Sequence, residues 1–575
     1  MGIDCMFWSA KIPLNIRKND FYPGYFSCTE RVKTLPSGGT SSTLSTAGEI
    51  DSIGKISLGA FVFGLKSLFL HNYGVIHGLL HPKGTMAKPL SILFVSSEIY
   101  PFAKTGGLAD VSYSLPLALR ELGHDIRVMM PKYGSISERK NRIHEINRLR
   151  DFPIPVGDTE SLATVKSSSV NNPRSKVQAY ITTNHNYFEA KKGFYSDPLT
   201  GIDYPDNDER FIFFNRTVLE TCILLGWFPD IIHCNDWQTG LVPAFARTEY
   251  AQEFKKAKII YTIHNFGNQG SFPASSIAKT RMAPSTLPSI THNDRLNFMK
   301  AGIAYSDRIT TVSPTYCAEI LKNKQSSNGL ITVLKERSDK MFGILDGVDM
   351  LTWNPKIDPF IAKNYDKTTV SDKIYSKEAL LHRFRLPMRS NTPLIGMISR
   401  LNEQKGIKLI LEVADQIFAE NLQFVLLGEG DPALEEGLKE VAARYPDKAS
   451  VKIGFDDELA HLIEAGADMF MMPSLYEPCG LNQQYSLVYG TVPIVRSTGG
   501  LADTVREFSP ATATGNGFVF QKFDSGEMLE AIRRAVGMYA RPEVWDIVVQ
   551  NGMSEDLSWG RSARQYSELY RSLIK

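Results

Sequence analysis

The chain has little that would commit it to a membrane, a nucleic acid or a disulfide scaffold. Its six cysteines, Cys5, Cys28, Cys222, Cys234, Cys317 and Cys479, are scattered without a C-x-x-C pair or the spacing of a zinc site, a usage that suits a reducing cytoplasm. A membrane-spanning helix needs roughly 20 consecutive apolar residues. The most apolar early stretch, Leu58 to Leu70, is shorter and is interrupted by Lys66. The charges nearly cancel, at +2, so neither a basic field for nucleic acid nor an acidic tail is present. What is there is a length of 575 residues at 43% hydrophobic content, enough for two or more domains that each bury a core.

Residues 1–85 differ in character from the rest of the chain. They show no sustained periodicity, a Gly/Ser/Thr cluster lies at Ser37 to Ser45, and a loose apolar patch precedes His81-Pro-Lys-Gly84. No basic start runs straight into an apolar core, as a secretory signal requires, and Asp4, Asp20 and Glu30 do not suit an organelle transit peptide. The segment reads as an appended, poorly ordered extension ahead of Met86.

From Pro89 the pattern becomes a short apolar β-rich run, a glycine turn, and Ala109 to Leu122 at helical spacing. Similar runs recur at Asp230 to His233, Lys258 to Ile263, Arg308 to Val312, Leu394 to Ile398, Phe424 to Leu427 and Met469 to Met472, most of them followed by helical stretches. Alternation of this kind predicts an α/β protein with doubly wound parallel sheets. An internal echo predicts two such units: Lys104-Thr-Gly-Gly-Leu-Ala-Asp110 is matched by Ser497-Thr-Gly-Gly-Leu-Ala-Asp503. Each places two glycines where a helix begins, leaving backbone N–H groups free for an anion, although glycines needed only for tight turns read the same way. Neither turn is G-x-G-x-x-G, which disfavours a dinucleotide dehydrogenase.

Taken together, the segments from Pro89 onward resemble the bacterial and plant glycogen/starch synthases of the two-Rossmann (GT-B) glycosyltransferase fold. They are Lys104-Thr-Gly-Gly-Leu-Ala-Asp-Val111, His233-Cys-Asn-Asp-Trp-Gln-Thr-Gly-Leu241, Thr262-Ile-His-Asn265, Asn297-Phe-Met-Lys-Ala-Gly302, Thr311-Val-Ser-Pro-Thr-Tyr316, Ser399-Arg-Leu-Asn-Glu-Gln-Lys-Gly406, Glu477-Pro-Cys-Gly-Leu481 and Tyr489-Gly-Thr-Val-Pro-Ile-Val495. Each alone is weak; their order and spacing are specific. The resemblance implies a first Rossmann-like domain over 86–344 that carries the glucan, a second over 345–553 that holds a nucleotide sugar, a deep cleft between them, and a last helix over 554–575 that returns to the first domain. It further implies retaining transfer of glucose from ADP-glucose to the non-reducing end of an α-1,4-glucan, with no cofactor and no metal.

Position within these segments marks the expected site residues. Arg400 and Lys405 come after a strand, where a basic pair is ordinarily a solvated loop; the resemblance makes them the cations that neutralise the donor diphosphate. Glu477, in the loop after Met469 to Met472, is expected to bind donor glucose and to favour positive charge at the anomeric carbon; a retaining reaction also admits it as a covalent nucleophile, against which the resemblance implies same-face attack. His264 resembles the histidine lying against the transferred glucose, where a lone histidine is otherwise structural. Lys104, Gly106, Gly107 and Asp110 are expected at the donor, as are Asp346, Tyr485, Thr498, Gly499 and Gly500; Asp236, Trp237 and Asn265 are expected to contact sugar. Trp237 at a strand end also fits a core position, and Cys479 fits a packed loop thiol. The D-x-D tripeptide at Asp206 to Asp208 reads as polar surface rather than a metal clamp. Three positions depart from the family pattern: Asp346 for the usual Asn, Phe455 for a frequent Tyr, and Asn482 for a common Thr. A non-catalytic glucan-binding protein is the competing reading, against which the joint presence of Lys104, His264, Arg400, Lys405 and Glu477 speaks. A phosphorylase would need a lysine carrying pyridoxal phosphate, for which no motif is recognised.

Overall fold

Two large sheets, with a small three-stranded one beside them, organise the described residues. The computed structural model describes residues 88–323 and 326–574; the extension at 1–85 lies outside them. The first sheet has ten strands, ordered Met341–Gly343, Arg308–Thr311, Lys258–Ile263, Ile231–Asn235, Ser91–Val95, Asp125–Pro131, Lys176–Thr183, Thr159–Asn171 and His144–Glu145, with Phe152–Val156 also paired to Thr159–Asn171. It is parallel from Met341–Gly343 through Lys176–Thr183 and antiparallel beyond. The second sheet is parallel throughout, in the order Ala449–Ile453, Gln423–Gly428, Leu394–Ile398, Met469–Met472, Val492–Arg496 and Phe518–Phe520.

The composition of the strands accounts for this layout. Ile92, Leu93, Phe94 and Val95 are all buried, because helices on both faces leave no solvent side for polar alternation. The helix Gly107–Glu121 makes the crossover that a parallel neighbour requires. The antiparallel pair Thr159–Asn171 and Lys176–Thr183 is absent from the expected strands. Thr159–Asn171 is rich in Ser and Thr and alternates between buried and less buried positions, so it carries no apolar run to announce it.

Each sheet has its own core. Phe94, Phe213, Ile232 and Ile260 belong to the first, and Leu426, Met469, Ile494 and Ile532 to the second. The helix Trp559–Ile574 comes after the second sheet in sequence but places Trp559, Ala563, Tyr566 and Tyr570 in the first core. Polar contacts pin it there: the Tyr570 hydroxyl lies 2.7 Å from His233 Nδ1 and Ser567 Oγ lies 2.8 Å from His124 Nε2. The chain therefore crosses between lobes twice, at 345–348 and 557–562, and the crossings are joined where Val348 N donates to the Leu557 carbonyl and Ser562 Oγ to the Leu345 carbonyl. The carboxyl ends of both sets of parallel strands, where open α/β sheets bind ligands, lead into the loops that carry Asp236, His264, Arg400 and Glu477.

Candidate active site

Glu477 sits in the loop after Met469–Met472 and is buried. Its Oε2 accepts from Lys405 Nζ at 2.7 Å and from Ser474 Oγ at 3.0 Å. Lys405 ends a short 3-10 turn, Glu403–Lys405, that begins a few residues beyond the strand Leu394–Ile398. Arg400, between the two, is exposed and has no ion-pair partner among the described residues. The site thus holds one buried carboxylate, one cation paired to it and one cation left open.

From the first lobe, the strands Ile231–Asn235 and Lys258–Ile263 deliver Asp236 and His264 at their carboxyl ends. Asp236 adopts a left-handed φ of 56°, uncommon for a residue other than glycine. That conformation is held by its own bonds: its N–H donates to the Thr262 carbonyl and its Oδ1 accepts from His264 N at 2.8 Å. Burial raises the Asp236 carboxyl to about 7, against the opposing effect of hydrogen bonds from His264 and Asn265. His264 is pushed by burial down to about 3, so it is neutral at physiological pH. Its tautomer is set by Asn235, whose Nδ2 donates to the Val95 carbonyl and whose Oδ1 therefore faces His264 Nε2 at 3.0 Å. Nε2 carries the proton, and Nδ1 is left as an acceptor.

Both lobes meet around these groups. A β-carbon built at Gly267, two residues past Asn265, would stand 3.7 Å from the Tyr476 hydroxyl, and one at Gly107 would stand 3.7 Å from Leu481. Gly106 and Gly107 are exposed, Gly106 with open space around it. Lys104 Nζ and Asp110 Oδ1 are 2.8 Å apart beside this turn, and burial raises the Asp110 carboxyl. Arg400, Lys405 and Glu477 of the second lobe and Lys104, Asp236 and His264 of the first thus sit in strand-end loops of two lobes that approach each other at Gly107–Leu481 and Gly267–Tyr476.

Residues 91–336 match the family model described as the starch synthase catalytic domain, and residues 380–546 that of glycosyl transferases group 1. Glycogen synthase of Syntrophotalea carbinolica is 41% identical over 84% of this chain and 99% of its own length; that of Anaeromyxobacter dehalogenans is 42% identical over 84% and 100%. The chain belongs to the glycogen/starch synthase family. Its structure is similar to the catalytic domain of starch synthase IV from Arabidopsis thaliana bound to ADP and acarbose, with a TM-score of 0.76 and 32% identity over 85% of this chain and 100% of that one. Likeness to sucrose-phosphate synthase from Thermosynechococcus elongatus, TM-score 0.52 at 18% identity over 85% and 99%, extends to the fold. The chain is thus a glycosyltransferase of GT-B architecture.

Within this synthase framework some expected contacts fall elsewhere. Trp237 is not an open platform for sugar. It is buried, and its ring lies among Phe211, Phe272 and Phe298 at centroid distances of 4.9, 5.7 and 6.0 Å. Tyr485 is likewise a packing residue, stacked at 4.1 Å on Trp353, whose other face stacks on His461 at 3.8 Å. Thr498, Gly499 and Gly500 do not offer a free anion site, because the Glu319 carboxylate already accepts from Thr498 Oγ1 and Gly499 N, each at 3.1 Å. Asp346 is buried rather than presented to solvent, and burial lifts its carboxyl to about 8, so it is mainly protonated at neutral pH and adds no anionic charge there. Asp206 to Asp208 open the helix Asn207–Leu225, with Asp206 paired to Lys191 and Asp208 to Lys279; Asp208 is buried, not surface. Among the described residues no cluster of three His, Cys, Asp or Glu side chains is placed to hold a metal ion, and no helix is long and apolar enough to cross a membrane. Of the other departures, Phe455 is exposed and Asn482 Nδ2 donates to the Ile398 carbonyl at 3.0 Å.

Other residues shape the site without a signal in their spacing. Glu98 is buried at the end of the first strand. Its carboxylate accepts from Thr105 N and Oγ1 and from the Tyr195 hydroxyl, and so fixes the Lys104–Gly107 turn. Gln404 Nε2 donates to the Tyr476 carbonyl, and Arg496 donates to the Ser474 and Leu475 carbonyls, which holds the loop carrying Glu477. An acidic residue one position beyond Ser96-Ser97 was the only available hint of Glu98; nothing local marks Arg496.

Proposed function

We propose that the chain transfers glucose from ADP-glucose to the non-reducing end of an α-1,4-glucan with retention of configuration, in the cytoplasm and without a metal or other cofactor. The observation that carries this reading is the 2.7 Å pair between the Lys405 ammonium and the buried Glu477 carboxylate, in which Lys405 is assigned to the donor diphosphate and Glu477 to the sugar. One cation is then shared between the leaving group and the carboxylate that faces the sugar. As the bond to the diphosphate breaks, negative charge grows on the phosphate and positive charge on the anomeric carbon; fixed groups of opposite sign on each side stabilise that state more than the ground state. Arg400, unpaired and solvent-facing, adds a second cation on the phosphate side. His264, neutral and with Nε2 committed to Asn235, is assigned to the transferred glucose, and Asp236 to accepting from its hydroxyls when ionised. Same-face attack by the glucan hydroxyl, assisted by the departing phosphate, accounts for retention without an enzyme nucleophile.

The starch synthase IV structure bound to ADP supports the adenine nucleotide over other bases. The test is glucan elongation by the purified full-length chain with ADP-glucose or UDP-glucose, with and without a chelator. Faster extension from ADP-glucose that is indifferent to the chelator is the expected result. Preference for UDP-glucose, or activity lost to the chelator and restored by magnesium, would sink the respective part of the reading.

A further inference from the structure

The second glycine turn, which its sequence offers as an anion site, performs a different task. The side chain of Glu319, on the first-lobe helix Pro314–Lys322, reaches across to the second lobe and accepts from Thr498 Oγ1 and Gly499 N. The return contact comes from Asp503, on the second-lobe helix Gly499–Thr504: its two oxygens accept from Thr315 N at 3.0 Å and Thr315 Oγ1 at 2.7 Å, in the first turn of the helix that carries Glu319. Each helix supplies the carboxylate that satisfies the other's orphan N–H groups. Thr498 makes no side-chain cap of its own; the first lobe provides it.

The glycines tie this exchange to the chemistry. A β-carbon at Gly499 would stand 2.0 Å from the Glu477 carbonyl oxygen, and one at Gly500 would stand 1.9 Å from that of Cys479. Only glycine permits such an approach, and Gly499 also adopts a φ of 45°. Gly500 N–H donates to the carbonyls of Glu477 and Pro478 at 3.1 and 3.2 Å. The same turn comes directly after Arg496, whose guanidinium holds the Ser474 and Leu475 carbonyls and is attracted to Glu319. The backbone of the Glu477 loop thus rests on a turn that the first lobe clamps from beneath.

We propose that Glu319 and Asp503 are positioning residues: the reciprocal contact fixes the Glu477 loop relative to the first lobe, and so sets the distance between Glu477 and the sugar contacts at His264 and Asp236. This rests on the catalytic role proposed for Glu477. A displaced loop weakens an interaction made mainly in the transition state, so turnover falls while donor binding through Arg400 and Lys405 is kept.

The test compares kcat and donor KM for the wild type, Glu319→Ala, Glu319→Gln and Glu477→Gln, together with hydrogen exchange over 472–481 and 497–504. Losing one charge-assisted contact that positions the loop is expected to lower kcat about tenfold in Glu319→Ala, with donor KM changed less than about twofold. Glu319→Gln keeps an acceptor oxygen and is expected to recover most of that loss. Exchange is expected to rise in both segments. Should Glu319→Ala fail to fold, Thr498→Val removes only the hydroxyl donor and is expected to lower kcat about threefold, the effect of one neutral hydrogen bond. Impaired Glu477→Gln beside wild-type kcat and exchange in the folded Glu319 or Thr498 variants would overturn the inference. Normal turnover in Glu477→Gln would instead overturn the functional reading, and the exchange data would still judge the contact.

Discussion

Replacing Asp346 with Asn tests whether a buried acid burdens the 345–348 crossing, the hinge between the lobes. Asp346 Oδ1 is buried without a hydrogen-bond partner, and burial together with the nearby Asp236 carboxylate raises its carboxyl to about 8 against a contact with Cys479 that lowers it. In the unfolded chain an aspartic acid loses its proton near pH 4. Between those limits the native state keeps a proton that the unfolded state has released, so stability from this group falls as pH rises from about 4 and levels off above about 8. With about 1.4 kcal/mol per pH unit, the accumulated cost is on the order of 4 kcal/mol at pH 7. Asn has no such titration and matches Asp in shape. Thermal unfolding of both proteins at pH 5.5, 7 and 8.5 is expected to show Asp346→Asn more stable, with an advantage that widens with pH. An advantage that is the same at all three values, or a variant that is the less stable at each, would refute the burdened-hinge account. Because the carboxyl is mainly protonated at neutrality, its repulsion of a donor diphosphate, screened by salt, is expected only above about pH 8.

Glu477→Gln is expected to lower kcat on the order of a hundredfold, as removal of one preorganised electrostatic group does, with a much smaller change in donor KM; steady-state kinetics on the folded variant check this, and near-normal turnover refutes it. The rate is expected to fall as pH drops through about 7, where Asp236 takes up its proton, and Asp236→Asn is expected to flatten that limb of the kcat/KM profile at a lower overall rate. Trp237→Ala is expected to destabilise the first lobe by about 3–5 kcal/mol, as loss of a buried aromatic does, measured by chemical denaturation; a fully stable variant with weakened glucan binding would restore the sugar-platform reading.

The sequence by itself determined the class of fold. Apolar runs such as Leu394–Ile398 and Met469–Met472 declare buried parallel strands because a strand covered on both faces has no polar side to alternate with. Arg400, Lys405, Glu477 and His264 stand at strand ends and in the loops after them, where such sheets bind ligands, but spacing alone read the basic pair as a solvated loop and the histidine as structural; the roles expected of them came from the family resemblance. What long-range packing decides was not legible. Trp237 was open to two readings, and Tyr485 was placed at the donor, until the rings around them were located, and Asp346 became a protonated acid only through burial. The two Thr-Gly-Gly-Leu-Ala-Asp turns make the division plainest. Local sequence specifies a glycine-led helix start in both, yet Gly106 is extended, at φ −165°, in open space, while Gly499, at φ 45°, and Gly500 lie against the Glu477 loop under Glu319. A short segment encodes the helix start; the backbone angles it settles on and the groups that fill the space around it depend on residues as far as 180 positions away, brought there by the tertiary fold.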